Sequence, residues 1–183
     1  MDNEKKDQTE TVTESQRIYD GKIVNLRVDT VTLPNGKTGK REVVEHSEAV
    51  AVVPMKDDNT VLLVRQFRLP AGGPLLEIVA GGVEHGEDPK TCALRELTEE
   101  IGMTARELIP LYSAFVAPGY TTEKIHGFLA LGLSEEKADA DEDEFVDVVE
   151  MSLADALEAI KNGEIADLKS AAGLTMAARH LGK

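Results

Sequence analysis

The 183-residue chain has no tryptophan, one cysteine and only 4% aromatic residues. A lone thiol, Cys92, cannot close an intrachain disulfide, so a disulfide framework is excluded and a reducing cytosol is the fitting compartment. Nothing around Cys92 gives it a catalytic setting, and it reads as a structural residue. No run of about 18 apolar residues exists, which argues against a membrane-spanning helix. The opening "MDNEKKDQTETVTESQ" lacks the apolar segment of a secretory signal, and residues 1–16 read as a flexible tail. Positive charge is also scarce: 20 Lys and Arg stand against 34 Asp and Glu, a net charge of −14. That balance excludes non-specific nucleic-acid binding, which rests on cations neutralising phosphates, and adsorption to an anionic membrane. Any phosphate ligand must be met by local arginines and metal ions against an unfavourable overall field.

What is present is a chain that is 42% hydrophobic, enough for one compact domain with a small appended unit. "KIVNLRVDTVTLPNGKTGKREVVEH" predicts a β-hairpin or small antiparallel sheet turning at Asn35-Gly36. "AVAVVPM" and "TVLLVRQFR" predict a second strand pair across "KDDN", and "PLLEIVAGGV" one further strand. "LIPLYSAFV" and "EKIHGFLALGL" follow as strands around "APGYTT", and "FVDVVEM" closes the set. Ser152 with Asp155 predicts a capped helix over "LADALEAIKNG", and "DLKSAAGLTMAARHLG" a closing helix.

The most informative segment is "RELTEE". Glu96, Glu99 and Glu100 are spaced i, i+3 and i+4, so a helix crowds their carboxylates together at about 0.2–0.5 kcal/mol per like-charged pair. Alone, such a stretch is an ordinary solvated acidic face. Its punctuation is sharper than that: Asp88 suits an N-cap, Pro89 the first helical position and Gly102 a left-handed C-terminal cap. Ala93, Leu94, Leu97 and Ile101 form the expected buried stripe, with the carboxylates to one side. Arg95 reaches Glu99 at i, i+4 and can orient it. Hard oxygen donors so placed suit Mg²⁺ or Mn²⁺.

The full window "GGVEHGEDPKTCALRELTEEIGM", Gly81 to Met103, resembles the Nudix box without a departure. The pattern asks for Gly81, Glu87, Arg95, Glu96, Leu97, Glu99, Glu100, Gly102 and an aliphatic-type residue at Met103. At ordinary residue frequencies a chance match is roughly one in a million. Outside the box, "VRQFRLPAGGPLLEIVAGG" and "YSAFVAPGYTTEKIHGFLA" resemble the flanking segments of ADP-ribose pyrophosphatases, with Pro118 sixteen residues past Gly102. Ile78-Val79 stands where Leu-Pro is common, and Ala117 where Ser is commoner. The resemblance spans about residues 18–182.

It implies an α/β/α sandwich around a mixed β-sheet, preceded by a small N-terminal antiparallel β-subdomain. The division would be a tail over 1–16, a dimerising subdomain over 17–48 and a Nudix hydrolase domain over 49–183. The implied activity is Mg²⁺-dependent hydrolysis of ADP-ribose to AMP and ribose 5-phosphate, in a cytoplasmic homodimer. Hydrolysis of another nucleoside diphosphate sugar, such as GDP-mannose or ADP-glucose, is the alternative; a non-catalytic ADP-ribose sensor is the rival from another class. The resemblance implies Glu96, Glu100 and the Ala80 carbonyl as metal ligands, Glu99 as a further carboxylate near the ions and Arg95 as its orienter. Glu87 either caps or braces the helix start. Arg68 would contact a substrate phosphate; Glu77 either touches the adenine side or only stabilises its strand; Pro118 marks the substrate loop. In the acidic stretch "ADADEDE", Glu142 is the implied general base and Glu144 an additional metal contact. Asp139, Asp141, Asp143 and Glu150 also fall at EF-hand offsets, but Glu144 stands where that loop needs glycine, and strands flank it.

Overall fold

The polar segment expected as a tail is strand from Thr11 onward: β1 (Thr11–Asp20) pairs antiparallel with β2 (Asn25–Thr32), and β2 with β3 (Thr38–Glu45). β1 is exposed along its whole length, so no apolar alternation betrays it. Polar cross-strand pairs hold it instead. Ser15 Oγ donates to Asp29 Oδ1 at 2.6 Å, Thr13 Oγ1 to the Thr30 carbonyl at 3.1 Å, and both Arg17 and Arg27 pair with Glu45. The expected turn lies between β2 and β3, where Gly36 takes φ 78° and its N–H donates to the Leu33 carbonyl.

The computed structural model describes residues 7–136 and 146–183. They fall into two compact units, one reaching Ser47 and including Phe115–Glu123, the other Glu48–Ala114 with Lys124–Lys183. In the larger unit, β4 (Ala49–Pro54) and β5 (Thr60–Arg68) do not form the expected strand pair. An isolated bridge, Met55 to Val61, and the Lys56 N–H on the Thr60 carbonyl join their near ends. Both strands are central ones whose edges are taken by other strands, and Val50–Val53 and Val61–Val64 are buried. β5 sits between β6 (Gly73–Glu77) and β10 (Asp147–Ser152); β4 sits between β7 (Val79–Gly82) and β9 (Lys124–Glu135), with β8 (Met103–Phe115) beyond β9. β4 runs antiparallel to β7 and parallel to β9, which makes the sheet mixed. The single strand expected over "PLLEIVAGGV" is thus broken at Ile78, whose N–H leaves the ladders and donates to Ser170 Oγ at 2.9 Å.

Helices α1 (Pro89–Ile101), α2 (Leu153–Asn162) and α3 (Leu168–His180) complete the unit. Alternate residues of β4 feed two cores, as strand geometry requires. Val50 and Val52 pack with Cys92, Ala93 and Leu97 of α1, whereas Ala51 and Val53 pack with Leu174 and Ala177 of α3. The architecture is therefore an α/β/α sandwich around a mixed sheet. Each such valine or leucine removed from water contributes about 1.5–3 kcal/mol. The caps of α1 are those expected: Asp88 accepts from the Lys90 N–H, and Gly102 closes the helix at φ 65°. Its buried face differs, because Leu94 and Ile101 are only half-buried while Glu96 and Glu100 are buried with Cys92, Ala93 and Leu97.

Candidate active site

Gly81 explains how two glutamates come to be buried. A Cβ on that residue would fall inside the Glu96 carboxylate, so only glycine lets α1 lay this side chain against β7. One residue earlier, the Ala80 N–H donates to Glu100 Oε2 at 3.3 Å. Glu96 and Glu100 are left only 7% and 9% exposed. Isolated buried carboxylates would cost several kcal/mol each, and Arg95 supplies the opposing charge. Its Nη1 donates to Glu96 Oε1 at 2.6 Å and Glu99 Oε2 at 2.8 Å, and Nε donates to Glu87 Oε1 at 3.0 Å. Nη2 reaches Glu87 Oε2 and the Gly82 carbonyl, tying the helix to the end of β7.

These contacts set the ionisation of the site. The Arg95 guanidinium, helped by the Glu84 N–H, holds the Glu87 carboxyl down at about 2. Hydrogen bonding to Glu87 raises the Arg95 pKa further, against the opposing effect of burial. Burial pushes the Cys92 thiol up to about 12, and its Sγ donates to the Gly82 carbonyl at 3.3 Å; it is a packed group with no nucleophilic role. Glu87 braces the helix start through Arg95, while Asp88 is the cap.

The donor set fits a hard divalent cation. Three carboxylates come from one rigid helix, two of them turned onto the backbone of β7 where Gly81 has no side chain, and oxygen-only donors are what Mg²⁺ and Mn²⁺ take. Among the described residues no three acidic, imidazole or thiol groups converge closely enough to hold a metal ion as they stand; the cation among the carboxylates is the guanidinium of Arg95.

A second polar centre lies three residues before Ala80. Glu77, 2% exposed, accepts from Arg68 Nη2 at 2.7 Å and Nε at 3.1 Å, and Lys169 Nζ lies 3.2 Å from the same Oε2. Lys169 also donates to Asp167 at 2.9 Å, the residue that caps α3. The structure thus gathers Glu96, Glu99, Glu100 and Arg95 at β7 and brings Arg68 to Glu77. Pro118 belongs to the smaller unit, in a turn where the Tyr120 and Thr121 N–H groups donate to the Ala117 carbonyl. Glu142 and Glu144 lie outside the described residues. Sequence reasoning missed Lys169 and Ser170. Their one local signal was Asp167 as a helix cap, and their partners at 77 and 78 are some 90 positions away, as in the Ile78–Ser170 bond separated by 92 residues.

Comparison with known proteins agrees with this geometry. The chain is 46% identical over 158 residues to an ADP-ribose pyrophosphatase of Bacillus subtilis, covering 85% of each protein. It is 45% identical over 163 residues to the methanol dehydrogenase activator of Bacillus methanolicus, covering 88% of each. Its fold superposes on the crystal structure of an ADP compounds hydrolase with a TM-score of 0.87 at 24% identity, over 96% of this chain and 95% of the other. Residues 10–44 match the nucleoside diphosphate sugar hydrolase N-terminal domain. The NUDIX domain matches residues 45–171, which include the β7 glycine, every carboxylate of α1 and the Arg68–Glu77 pair; the chain belongs to the Nudix family.

Proposed function

We propose that the protein hydrolyses the diphosphate of ADP-ribose to AMP and ribose 5-phosphate, with Mg²⁺ as the metal. The observation that carries this is the fit of α1 to β7: buried Glu96 and Glu100 lie on the backbone of Ala80 and Gly81, in a chain whose residues 10–44 match the nucleoside diphosphate sugar hydrolase N-terminal domain. Family members generally need a divalent metal; Glu96, Glu100 and the Ala80 carbonyl would hold it, with Glu144 as an additional contact. Bound there, it supplies charge neutralisation and polarises the phosphoryl oxygens. The other roles belong to the chain. Arg68 meets a phosphate through its guanidinium fork, and Glu77 orients that fork. Arg95 orients Glu96 and Glu99. Glu142 takes a proton from the attacking water; the water oxygen bonds to one phosphorus as the bond from that phosphorus to the bridging oxygen breaks. Carboxylates beside a cation make poor bases, which favours a glutamate away from α1. Glu142→Gln should lower turnover by about 10²–10⁴-fold, the usual contribution of a general base, with KM little changed.

A phosphate-release panel coupled to phosphatase, using ADP-ribose, ADP-glucose and GDP-mannose with Mg²⁺ or Mn²⁺, tests the reading. The highest kcat/KM is expected on ADP-ribose with Mg²⁺. A preference for another sugar would reassign the substrate, and binding of ADP-ribose without turnover of any of them would make the protein a sensor. We further infer a cytoplasmic homodimer joined through the N-terminal sheet, a reading supported by the exposure of β1 from end to end.

A further inference from the structure

We propose that Lys169 is a positioning residue for substrate, acting through Glu77 on Arg68; this rests on the reading of Arg68 as a phosphate contact. Two cations meet on one buried carboxylate oxygen. Arg68 Nη2 lies 2.7 Å and Lys169 Nζ 3.2 Å from Glu77 Oε2. They do not stand equally toward solvent. The Arg68 side chain is 37% exposed and that of Lys169 is 17% exposed, so Arg68 is the one an incoming anion meets and Lys169 stands behind.

Lys169 is itself fixed at three points. Its ammonium group donates to Asp167 Oδ1 at 2.9 Å, its backbone lies in the first turn of α3, and its carbonyl accepts from Tyr112 Oη at 3.2 Å. Asp167 Oδ1 also accepts from the Ser170 N–H, so the Lys169 head group is referenced to the helix end. The carboxylate that takes two donors of the Arg68 guanidinium sets the direction of that plane. A second cation on Oε2 fixes where that oxygen points, and the fork follows it. Lys169 carries the order of α3 to the phosphate-contacting arginine without touching the substrate.

The test compares Arg68→Gln, Lys169→Met, Glu77→Gln and the double variant Glu77→Gln/Lys169→Met by steady-state hydrolysis of ADP-ribose with Mg²⁺, with thermal melting alongside. Lys169→Met is expected to raise KM about tenfold or more, the scale of one hydrogen bond to a charged group, while kcat stays within about twofold. In the Glu77→Gln background the same change should move KM less than about twofold, because its route to Arg68 is already cut. A lowered melting temperature with unchanged KM in Lys169→Met would make the lysine merely structural and overturn the proposal. A double variant with KM well above that of Glu77→Gln would also overturn it, since Lys169 would then touch substrate itself. That comparison stands even if the single lysine variant does not fold, because the double variant removes the buried Glu77 charge together with the lysine that pairs it, and Asp167 keeps its bond from the Ser170 N–H. If Arg68→Gln leaves KM unchanged, the assignment of Arg68 has failed, and the positioning role falls with it.

Discussion

At the residue scale, the carboxylates of α1 and the glycine opposite them are one device. Glu100→Gln keeps the shape of the side chain and removes one charge from the group that would hold the metal. Turnover of ADP-ribose should fall by at least about 100-fold, the scale of losing a principal electrostatic stabiliser, while the circular dichroism spectrum is retained. Near-normal turnover at limiting Mg²⁺ would show that Glu100 is not a ligand. Gly81→Ala tests the same arrangement from the strand side. Its methyl group would occupy the place of the Glu96 carboxylate, so Glu96 must turn away and turnover should fall by a comparable factor of about 100. Unchanged metal dependence in that variant would remove Glu96 from the site. These residues were legible in the sequence because their spacing lies within one helix and its preceding strand. Their burial was not legible. Periodicity assigned it to Leu94 and Ile101, because hydropathy has no means of registering that Arg95 would offset the charge of Glu96 and the Ala80 N–H would meet Glu100.

At the element scale, the connection between the sheet and α3 depends on a glycine in β9. A Cβ on Gly127 would fall inside the Tyr112 ring, so this gap lets Tyr112 lie across β9 and donate to the Lys169 carbonyl. An aromatic ring has no flexible end to yield, and Gly127→Ala should destabilise by about 1–3 kcal/mol or more through overpacking, read as a drop in the urea midpoint. The packing has an electrostatic signature. Burial, with the charge of Asp167 added, pushes the Tyr112 hydroxyl from 10.0 up to about 12. A folded pKa above the unfolded one gives stability that is full below about pH 10 and lost as pH rises toward 12. The chain has three tyrosines and no tryptophan, so tyrosinate absorbance near 295 nm reads the titration cleanly. Tyr112→Phe should abolish the step near pH 12 and flatten the alkaline slope of stability. A step that persists in the variant would refute the assignment. Caps and turns at this scale were readable, since Asp88, Gly102, Ser152 and Gly36 act within a few residues. Strand pairing was not: β4 and β5 read as neighbours by proximity in sequence, and the break at Ile78 depends on a serine in the last helix.

At the scale of the whole molecule, charge and exposed strand surface pull assembly in opposite directions. β1 leaves Val12, Ile18 and Tyr19 exposed, and Ile23 follows just beyond it. Apolar side chains on a fully exposed strand favour coverage by a second chain. A homodimer, however, brings together two chains that each carry a net −14, and that self-repulsion opposes closure. Ionic strength decides between them. At about 10 mM salt the screening length is roughly 30 Å and the repulsion is felt across the whole pair; at 150 mM it is about 8 Å and only charges near the contact still interact. The expected result is a dimer of the 19.8 kDa chain at micromolar concentration in 150 mM salt, measured by light scattering, with a dissociation constant that rises as salt is lowered. Deleting the chain before Ala49 should give a monomer with weakened substrate affinity at every salt concentration. A full-length monomer at 150 mM salt would show that the exposed face of β1 has no second copy to cover it. A dimer insensitive to salt would place the contact where opposite charges on the two copies already balance, as the Arg17, Arg27 and Glu45 cluster within each sheet does.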